Sequence, residues 1–202
     1  MSTVILSSAY LPNLTWYHYF TKAGQVFIEK HEHYMKQSFR NRCEIYSANG
    51  KLSLIIPLEK NADKELITEK KISYKENWQI KHWRAITSAY KNSPYFEYFE
   101  DEFKPYYNER HEFLFDYNQA LLQTINKILR IKKEIQFTEA YSKLPEGLDL
   151  RESIHPKKEA LILMKPYHQV FSDKHGFNSD LSIIDLLFNK GLETPLFLSE
   201  QV

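Results

Sequence analysis

The sequence predicts an α/β fold: a single domain with a mainly parallel sheet flanked by helices, and a β-hairpin insertion. Three patterns indicate this fold: a strand–helix–strand opening, an Asn-Gly turn between two strand-like runs, and a long amphipathic helix. Strands that alternate with helices favour a parallel sheet, because each helix returns the chain for another strand in the same direction. The 202 residues suit one domain, residues 1–202, better than two small ones.

The chain opens with a β-α-β pattern. Residues 3–6 form a β-branched and aliphatic run, and residues 26–28 form a second apolar run. Between them, apolar side chains recur at roughly helical spacing from Leu14 until Gly24. We therefore expect the two strands to lie side by side in parallel.

A β-hairpin is expected next. Asn49-Gly50 separates strand-like residues 43–48 from residues 51–58. Asn and Gly tolerate the positive φ angles of a two-residue hairpin turn, so this pair predicts a tight turn. Residues 61–75 are charged and lack a hydrophobic period, which predicts a mobile surface loop.

Two helices are predicted after that loop. Residues 78–90 carry Ile80 and Trp83 at helical spacing, which places both side chains on the predicted core face. Ser93 and Pro94 precede a second helix that is rich in aromatic residues. We expect Pro105 to end this helix, because proline lacks the N–H group that a helix interior uses.

The clearest helix covers residues 112–131, which carry one apolar stripe along their length. Residues 134–141 show the partial alternation of a strand. We expect Val4, Phe27 and Ile135 to lie on strands of one sheet that this helix covers.

The last part of the chain is less regular. Residues 144–158 contain prolines and a glycine, which predicts a linker or loop. Residues 160–164 and 169–171 are strand-like. A final helix is expected over residues 181–189, closed by Gly191.

Charge and cysteine content exclude some functions. The 27 basic residues nearly balance the 26 acidic ones, for a net charge of +1. Because nucleic-acid binding requires a basic face that displaces counterions, we expect no nucleic-acid partner. The single cysteine, Cys43, cannot form an internal disulfide, which favours a cytoplasmic location. No apolar run approaches the ~20 residues that span a bilayer, so we expect no membrane span.

Residues 29–42, EKHEHYMKQSFRNR, are the part of the chain that looks suited to chemistry. They follow a predicted buried strand, and α/β sheets bind ligands at the carboxyl ends of their strands. Lys36, Arg40 and Arg42 either clamp the phosphate or carboxylate of a small-molecule substrate, or form surface ion pairs with nearby glutamates.

A metal site is the other chemistry considered for this segment. His31 and His33, with Glu29 and Glu32, form either a set of metal ligands or a hydrogen-bonded polar edge. A third well-spaced ligand is missing, so we expect no tightly bound structural metal. The chain also lacks a Gly-rich nucleotide loop, and we expect no cofactor.

Two residues are candidates for handling a proton. His82 is either a general acid or base or a structural histidine, since its ordinary pKa lies near neutrality. Asp185 lies within the apolar run Ile183-Ile184-Asp185-Leu186-Leu187, where an unpaired carboxylate is costly to bury. It therefore either faces solvent or accepts hydrogen bonds in a cleft.

Taken together, these segments resemble the WbqC-like protein family, in the form common in Bacteroidetes. Four parts of the chain carry the resemblance: residues 36–43 with 48–50, residues 77–79 with 82–83, residues 88–90 with 93–96, and residues 167–191. Two departures put an acid–base role for the N-terminal part in doubt. Ser8-Ala9-Tyr10-Leu11-Pro12 replaces a His-Gln-Pro motif, and Glu29-Lys30-His31-Glu32 replaces paired aspartates.

The resemblance implies a transferase of surface polysaccharide biosynthesis, of the O-antigen type, that acts on an activated sugar or a related small polar metabolite. Candidate substrate-binding residues are Lys36, Arg40, Asn41, Arg42 and Gln169, with His82 and Asp185 as catalytic candidates. The alternative is a non-catalytic ligand-binding or scaffolding protein of a polysaccharide assembly pathway. One pocket that holds Lys36, Arg42, His82 and Asp185 would favour the enzyme, whereas scattered placement with a flat exposed aromatic patch would favour the alternative.

Overall fold

The computed structural model describes residues 2–60 and 64–201. Its main sheet has four parallel strands in the order β5-β2-β1-β6. Their bounds are β1 Thr3–Ser7, β2 Gln25–Glu29, β5 Ile135–Phe137 and β6 Leu148–Asp149. Val4, Phe27 and Ile135 all lie on strands of this sheet, as the sequence predicts.

Helix α1 (Leu14–Lys22) makes the parallel connection between β1 and β2. The side chain of Asn13 starts this helix, because its Oδ1 accepts a hydrogen bond of 3.2 Å from the Trp16 amide. The indole N–H of Trp16 donates to the Ser7 carbonyl at 3.0 Å. This bond joins the buried face of the helix to the end of β1.

The predicted hairpin is present as a separate antiparallel pair, β3 (Arg42–Ser47) and β4 (Gly50–Ile55). Cys43 and Ile45 are buried on one face of β3. Because strand side chains alternate, Arg42 and Glu44 lie on the opposite face.

Three helices follow: α2 (Trp78–Tyr90), α3 (Phe96–Asn108) and α4 (Leu114–Ile128). The predicted bounds of α2 are confirmed, and Ile86 and Tyr90 are buried on its inner face, but one expected apolar residue is not. Ile80 is 49% exposed, whereas His82 is only 6% exposed. The polar ring is tolerated inside because Tyr10 provides a hydrogen-bond partner.

Pro105 lies inside α3 and does not end it, so this prediction is wrong. Proline deprives the carbonyl of Asp101, four residues earlier, of its helical partner. Asp101 is exposed, and water can satisfy that carbonyl.

Helix α4 carries the predicted apolar stripe, with Tyr117, Leu121 and Ile125 fully buried. It contacts the edge of the sheet through the rings of Phe115 and Phe137, whose centroids lie 5.8 Å apart. The helix is shorter than predicted at both ends.

The prediction of a mobile loop over residues 61–75 is wrong for residues 64–75; residues 61–63 lie outside the described part. A 3-10 turn, Ile67–Glu69, places Ile67 in the core, and Ile72 is also buried. Backbone bridges hold the segment, joining His33 to Leu66 and Leu58 to Ile72. Long-range pairing therefore orders a stretch that shows no local period.

The predicted linker over residues 144–158 contains strand β6, which pairs with β1 at Val4 and Ile5. A two-residue strand is too short to show alternation, which explains the omission. Residues 160–164 and 169–171 do not form strands; the chain there is irregular and leads into the short helix α5 (Ser172–His175).

The C-terminal helix α6 covers Ile183–Lys190, two residues later than predicted at its start. Ser182 is the N-cap, and its hydroxyl accepts a hydrogen bond from the Ile184 amide. Gly191 follows with φ of 57° and closes the helix as predicted. A 3-10 turn, Gly191–Glu193, then leads into α7 (Thr194–Ser199). No helix in residues 2–60 and 64–201 is long and apolar enough to cross a membrane.

Candidate functional site

A cavity of about 470 Å³ lies between the segment that follows β2 and the chain that follows β4. We call it the hairpin cavity; it is lined by Tyr34, Lys36, Asn41, residues 55–60, Glu65 and Lys70. Residues 34–41 contribute its polar side, and residues 55–58 contribute apolar side chains. A pocket with this combination suits a small ligand that has both polar and apolar parts.

Asn41 is held in place by reciprocal bonds to β4. Its Nδ2 donates to the Ile56 carbonyl at 2.8 Å, and the Ile56 amide donates to the Asn41 carbonyl at 2.8 Å. The side-chain oxygen Oδ1 is buried and has no hydrogen-bond partner among the described residues. A buried acceptor without a partner is costly, so a hydroxyl or amide donor that reached this oxygen would stabilise it.

Lys36 and Lys70 supply positive charge to the hairpin cavity. Lys36 is exposed and forms no ion pair within residues 2–60 and 64–201. Lys70 is already engaged, since its ammonium donates to Glu65 at 2.6 Å and to the Glu59 carbonyl at 2.7 Å. Lys36 is therefore one cation of this cavity that an anionic ligand can recruit, and Lys60 also lines it.

Arg40 lies elsewhere, in a buried network of ion pairs. Its guanidinium binds Glu32 bidentately, with Nε 2.7 Å from Oε1 and Nη2 in contact with Oε2. Arg40 is 1% exposed. The ion-pair alternative thus describes this residue better than the clamp, and its role in substrate binding remains a prediction.

The same network occupies the carboxyl ends of the parallel strands. Arg151 donates to the fully buried Glu29 at 2.7 Å and binds Asp149 bidentately at 2.9 and 2.7 Å. Glu29 also accepts from Thr138 at 2.8 Å. Hydrogen bonds to Asp149 raise the pKa of Arg151, and those to Arg151 lower the pKa of Asp149.

Sequence reasoning missed this network, because Arg151 falls in the segment predicted to be a linker. The only local signal is the spacing of Asp149 and Arg151, two positions apart. At the edge where α/β sheets bind ligands, the protein has its own buried ion pairs, and a cavity of about 310 Å³ lined by Glu32, Asp149 and Arg151 lies beside them.

Arg42 is half-buried on the outer face of β3. It pairs across the hairpin with Ile55, which lines the hairpin cavity. Its Nε atom is buried without a hydrogen-bond partner, and no ion pair involves it among the described residues. Its positive charge lowers the pKa of Tyr34 in the hairpin cavity, although burial raises that pKa overall.

His82 is an interior histidine. Its Nδ1 lies 3.1 Å from the hydroxyl of Tyr10, which in turn lies 2.9 Å from the hydroxyl of Tyr107. Burial lowers the pKa of His82 to about 4, so the ring is neutral at pH 7. It does not line the hairpin cavity, and its catalytic role remains a prediction.

Asp185 and Gln169 meet in another interior cluster. The Asp185 Oδ2 atom accepts from Tyr167 at 2.5 Å and from Gln169 at 3.0 Å. Gln169 also bonds the backbone of Asn178 in both directions, at 2.9 and 3.0 Å. Burial raises the pKa of Asp185 to about 6, whereas the hydrogen bonds that it accepts lower it.

The structure therefore divides the predicted site residues among different places. Lys36 and Asn41 share the hairpin cavity, Arg42 lies beside it, and Arg40 belongs to the strand-end network. Asp185 and Gln169 share one interior cluster and His82 lies in another.

The histidines of the polar segment do not form a ligand set with other residues. Within residues 2–60 and 64–201, no three or more His, Cys, Asp or Glu side chains are grouped so that they could hold a metal ion. His33 is exposed, and the His31 amide donates to Glu29 at 2.7 Å. Cys43 is buried. Burial, and to a smaller extent the negative charge of Glu44, raises the pKa of its thiol well above the ordinary value. The thiol is therefore a poor nucleophile.

The profile of the WbqC-like protein family matches residues 7–160, well over half of the chain. The chain belongs to the WbqC-like protein family. It is also similar to a protein of Mycobacterium tuberculosis (strain ATCC 25618 / H37Rv) named Uncharacterized protein Rv1507c. The two sequences are 25% identical over 223 aligned positions, gaps included, and the alignment covers 96% of each chain. No solved structure matches this chain significantly.

The position of the family match separates the candidate residues. The whole hairpin cavity, from Tyr34 to Lys70, lies inside the part of the chain that the WbqC-like family shares. His82 also lies inside it, whereas Gln169 and Asp185 lie beyond residue 160.

Proposed function

We propose that this WbqC-like protein is a cytoplasmic transferase of surface polysaccharide biosynthesis that binds an activated sugar or a related anionic metabolite. Its membership of the family supports the assignment, since the resemblance implies this class of reaction. The hairpin cavity is the proposed binding site.

The observation that carries the proposal is the shared position of Lys36 and Asn41. Both come from the segment that resembles the family most closely, and both line one cavity. Lys36 offers an unpaired ammonium for a phosphate or carboxylate, and Asn41 offers a buried acceptor for a sugar hydroxyl. Arg42 supplies a second cation at the margin.

Such a site would act by positioning the ligand and neutralising its charge. These two effects contribute to group transfer without a covalent intermediate. The raised pKa of buried Cys43 is consistent with a mechanism that uses no thiolate.

The second candidate function is ligand binding or scaffolding without catalysis. The observation that favours it is the distribution of ionisable groups, because His82 and Asp185 are buried in clusters that do not line the hairpin cavity. A transferase that uses the hairpin cavity would then need another residue as proton acceptor, or a substrate that itself accepts the proton.

A ligand screen followed by two variants tests the proposal. Thermal-shift measurements with nucleotide-sugars and acyl donors identify a ligand, because binding to the native state alone raises its midpoint. By titration calorimetry, Lys36→Ala should lower the affinity for that ligand on the order of tenfold. Arg42→Lys should also lower the affinity measurably, since an ammonium cannot reproduce the planar guanidinium.

Lys91→Ala is the matched control, because Lys91 is an exposed lysine at the end of α2 and does not line the hairpin cavity. Unchanged affinity in folded Lys36→Ala and Arg42→Lys would refute the site. Product formation from the bound ligand and an acceptor would distinguish the transferase from the scaffold.

A further inference from the structure

A second cavity, of about 300 Å³, lies between β3 and the segment that follows β6. We call it the histidine cavity; it is lined by Glu44, Lys51, His155, Lys158 and residues 177–180, with several neighbours. None of the predicted substrate-binding residues lines it. Its wall is mainly polar, which suits a charged or heavily hydroxylated group better than an apolar one.

The ring of His155 is fixed by the turn that contains it. The Lys157 amide donates to Nδ1 of His155 at 3.1 Å, and the Lys158 amide donates to the His155 carbonyl at 3.0 Å. Because Nδ1 accepts a hydrogen bond, the proton of the neutral ring lies on Nε2. His155 therefore has an N–H donor that its own turn does not use.

Positive charge surrounds this ring. Burial lowers the pKa of His155, and four nearby cations lower it further: Lys158, Arg40, Lys157 and Arg42. Arg40 is neutralised by Glu32. Lys158 and Arg42 form no ion pair in the described part of the chain, so their charge remains available.

The carboxylates of the histidine cavity are already engaged. Glu44 pairs with Lys51 at 2.9 Å. Asp180 accepts from the Thr15 amide at 2.8 Å and from the Asn13 side chain at 2.6 Å, at the start of α1. Burial raises the pKa of Asp180, while these hydrogen bonds lower it. Neither carboxylate is directed to Lys158 or His155.

We propose that the histidine cavity is an oxyanion site, in which Lys158 and the Nε2–H of His155 bind a phosphoryl group. Unpaired donors gathered at one polar cavity provide what a phosphate needs in a chain without a Gly-rich loop. The inference rests on the proposed function: a phosphate of the activated sugar would be bound here in addition to the contact with Lys36.

Arg42 links this site to the hairpin cavity. It follows Asn41 of the hairpin cavity directly and shares its strand face with Glu44 of the histidine cavity. Its charge acts on Tyr34 in the first cavity and on His155 in the second. Arg42 is thus a cation whose charge reaches both cavities.

Anion binding here should be coupled to a proton. A bound oxyanion favours the charged imidazolium and raises the pKa of His155 above its lowered value in the free protein. Affinity should therefore increase as the pH falls from 7.5 to 5.5. The groups that face His155 are the four cations named above, and Glu44, Lys51 and Asp180 share its cavity.

The test uses the whole protein and inorganic anions. NMR of the histidine ring resonances reports binding of phosphate at pH 7, and sulfate replaces phosphate for the pH series because sulfate stays a dianion. We expect the His155 resonances to shift and Lys158→Ala to weaken phosphate binding on the order of tenfold. His155→Gln should remove the pH dependence of sulfate binding.

Lys157→Ala is the matched control, because Lys157 is exposed in the same turn but does not line the cavity. Its effect should stay within about threefold, because Lys157 lies outside the cavity and only its salt-screened charge acts on a bound anion. Equal effects of the two lysine variants, or no His155 shift with phosphate, would overturn the inference.

The outcome is separable from that of the proposed function. If the binding of a nucleotide-sugar depends on Lys36 but not on Lys158, the hairpin cavity is supported as the ligand site and the oxyanion site is refuted. If phosphate shifts His155 while Lys36→Ala leaves sugar binding unchanged, the oxyanion site stands and the hairpin cavity is refuted.

Discussion

At the scale of single residues, burial is the main influence on the interior ionisable groups. It lowers the pKa of His82 to about 4 and raises that of Asp185 to about 6, so it favours the neutral form of each. The sequence marks Asp185 as unusual because it lies in an apolar run, whereas His82 is singled out because the ordinary pKa of histidine lies near neutrality. It cannot reveal their partners, since the Tyr10 hydroxyl that meets His82 is 72 positions away.

Asp185 makes stability depend on pH. Its pKa is raised from 3.8 to about 6 on folding, so its contribution is fully present below pH 3.8 and lost as the pH rises through 6. Asp185→Asn does not titrate, and its oxygen can still accept from Tyr167 and Gln169. Relative to the wild type, the variant should gain about 2 kcal/mol of unfolding free energy between pH 4 and pH 7.5.

Urea denaturation at the two pH values measures this difference, and the titration of His82 cancels because both proteins contain it. Asp116→Asn, at an exposed aspartate of α4, is the control and should change with pH by less than about 0.5 kcal/mol. Parallel pH profiles for wild type and Asp185→Asn would contradict the prediction.

At the scale of elements, the sequence predicts those whose signal is local. Strands β1 and β2, helix α1 and the hairpin each show an apolar period or a turn pair within their own residues. Strand β6 and the 3-10 turn at Ile67 do not, because pairing with distant residues orders them. The hairpin cavity is only half predictable for the same reason: Lys36 and Asn41 carry a local signal, whereas Lys70 reaches it through long-range bridges.

Gly147 tests the close approach of the β6 segment to β1. A Cβ atom at Gly147 would lie 2.7 Å from the backbone oxygen of Thr3, which cannot move without disturbing the sheet. Gly50 has a similar φ, 96° against 110°, but its Cβ would meet nothing within 4 Å. Both alanine variants carry backbone strain, and only Gly147→Ala adds a clash.

Gly147→Ala should therefore lose about 2 kcal/mol more unfolding free energy than Gly50→Ala, measured by chemical denaturation. Equal losses would mean that residue 147 does not pack against β1 as closely as described.

At the scale of the whole molecule, a nearly neutral chain separates its charges by place. The strand-end network pairs its arginines with carboxylates, whereas Lys36, Arg42 and Lys158 remain without such partners among the described residues. Lys36 lines the hairpin cavity, Lys158 lines the histidine cavity, and Arg42 pairs across the hairpin with Ile55 of the hairpin cavity. This separation makes local anion binding compatible with a net charge of +1.

The remaining whole-molecule prediction is that the chain unfolds as one domain. Buried side chains from the sheet, the hairpin and all the long helices form a continuous hydrophobic cluster, which includes both Trp16 and Trp78. Trp16 reports on α1 beside the sheet, and Trp78 reports on α2 beside the hairpin.

Two variants that each keep only one of these tryptophans, with the other tryptophans replaced by Phe, test this prediction. In urea, the fluorescence transition of each variant should coincide with the far-UV circular dichroism transition of the same sample. Because each variant is compared with its own circular dichroism, a loss of stability from the substitutions does not affect the result. If the fluorescence transition of either variant departs from its own circular dichroism, and that circular dichroism shows two steps, the sheet and the helical part are separate folding units and the single-domain prediction is wrong.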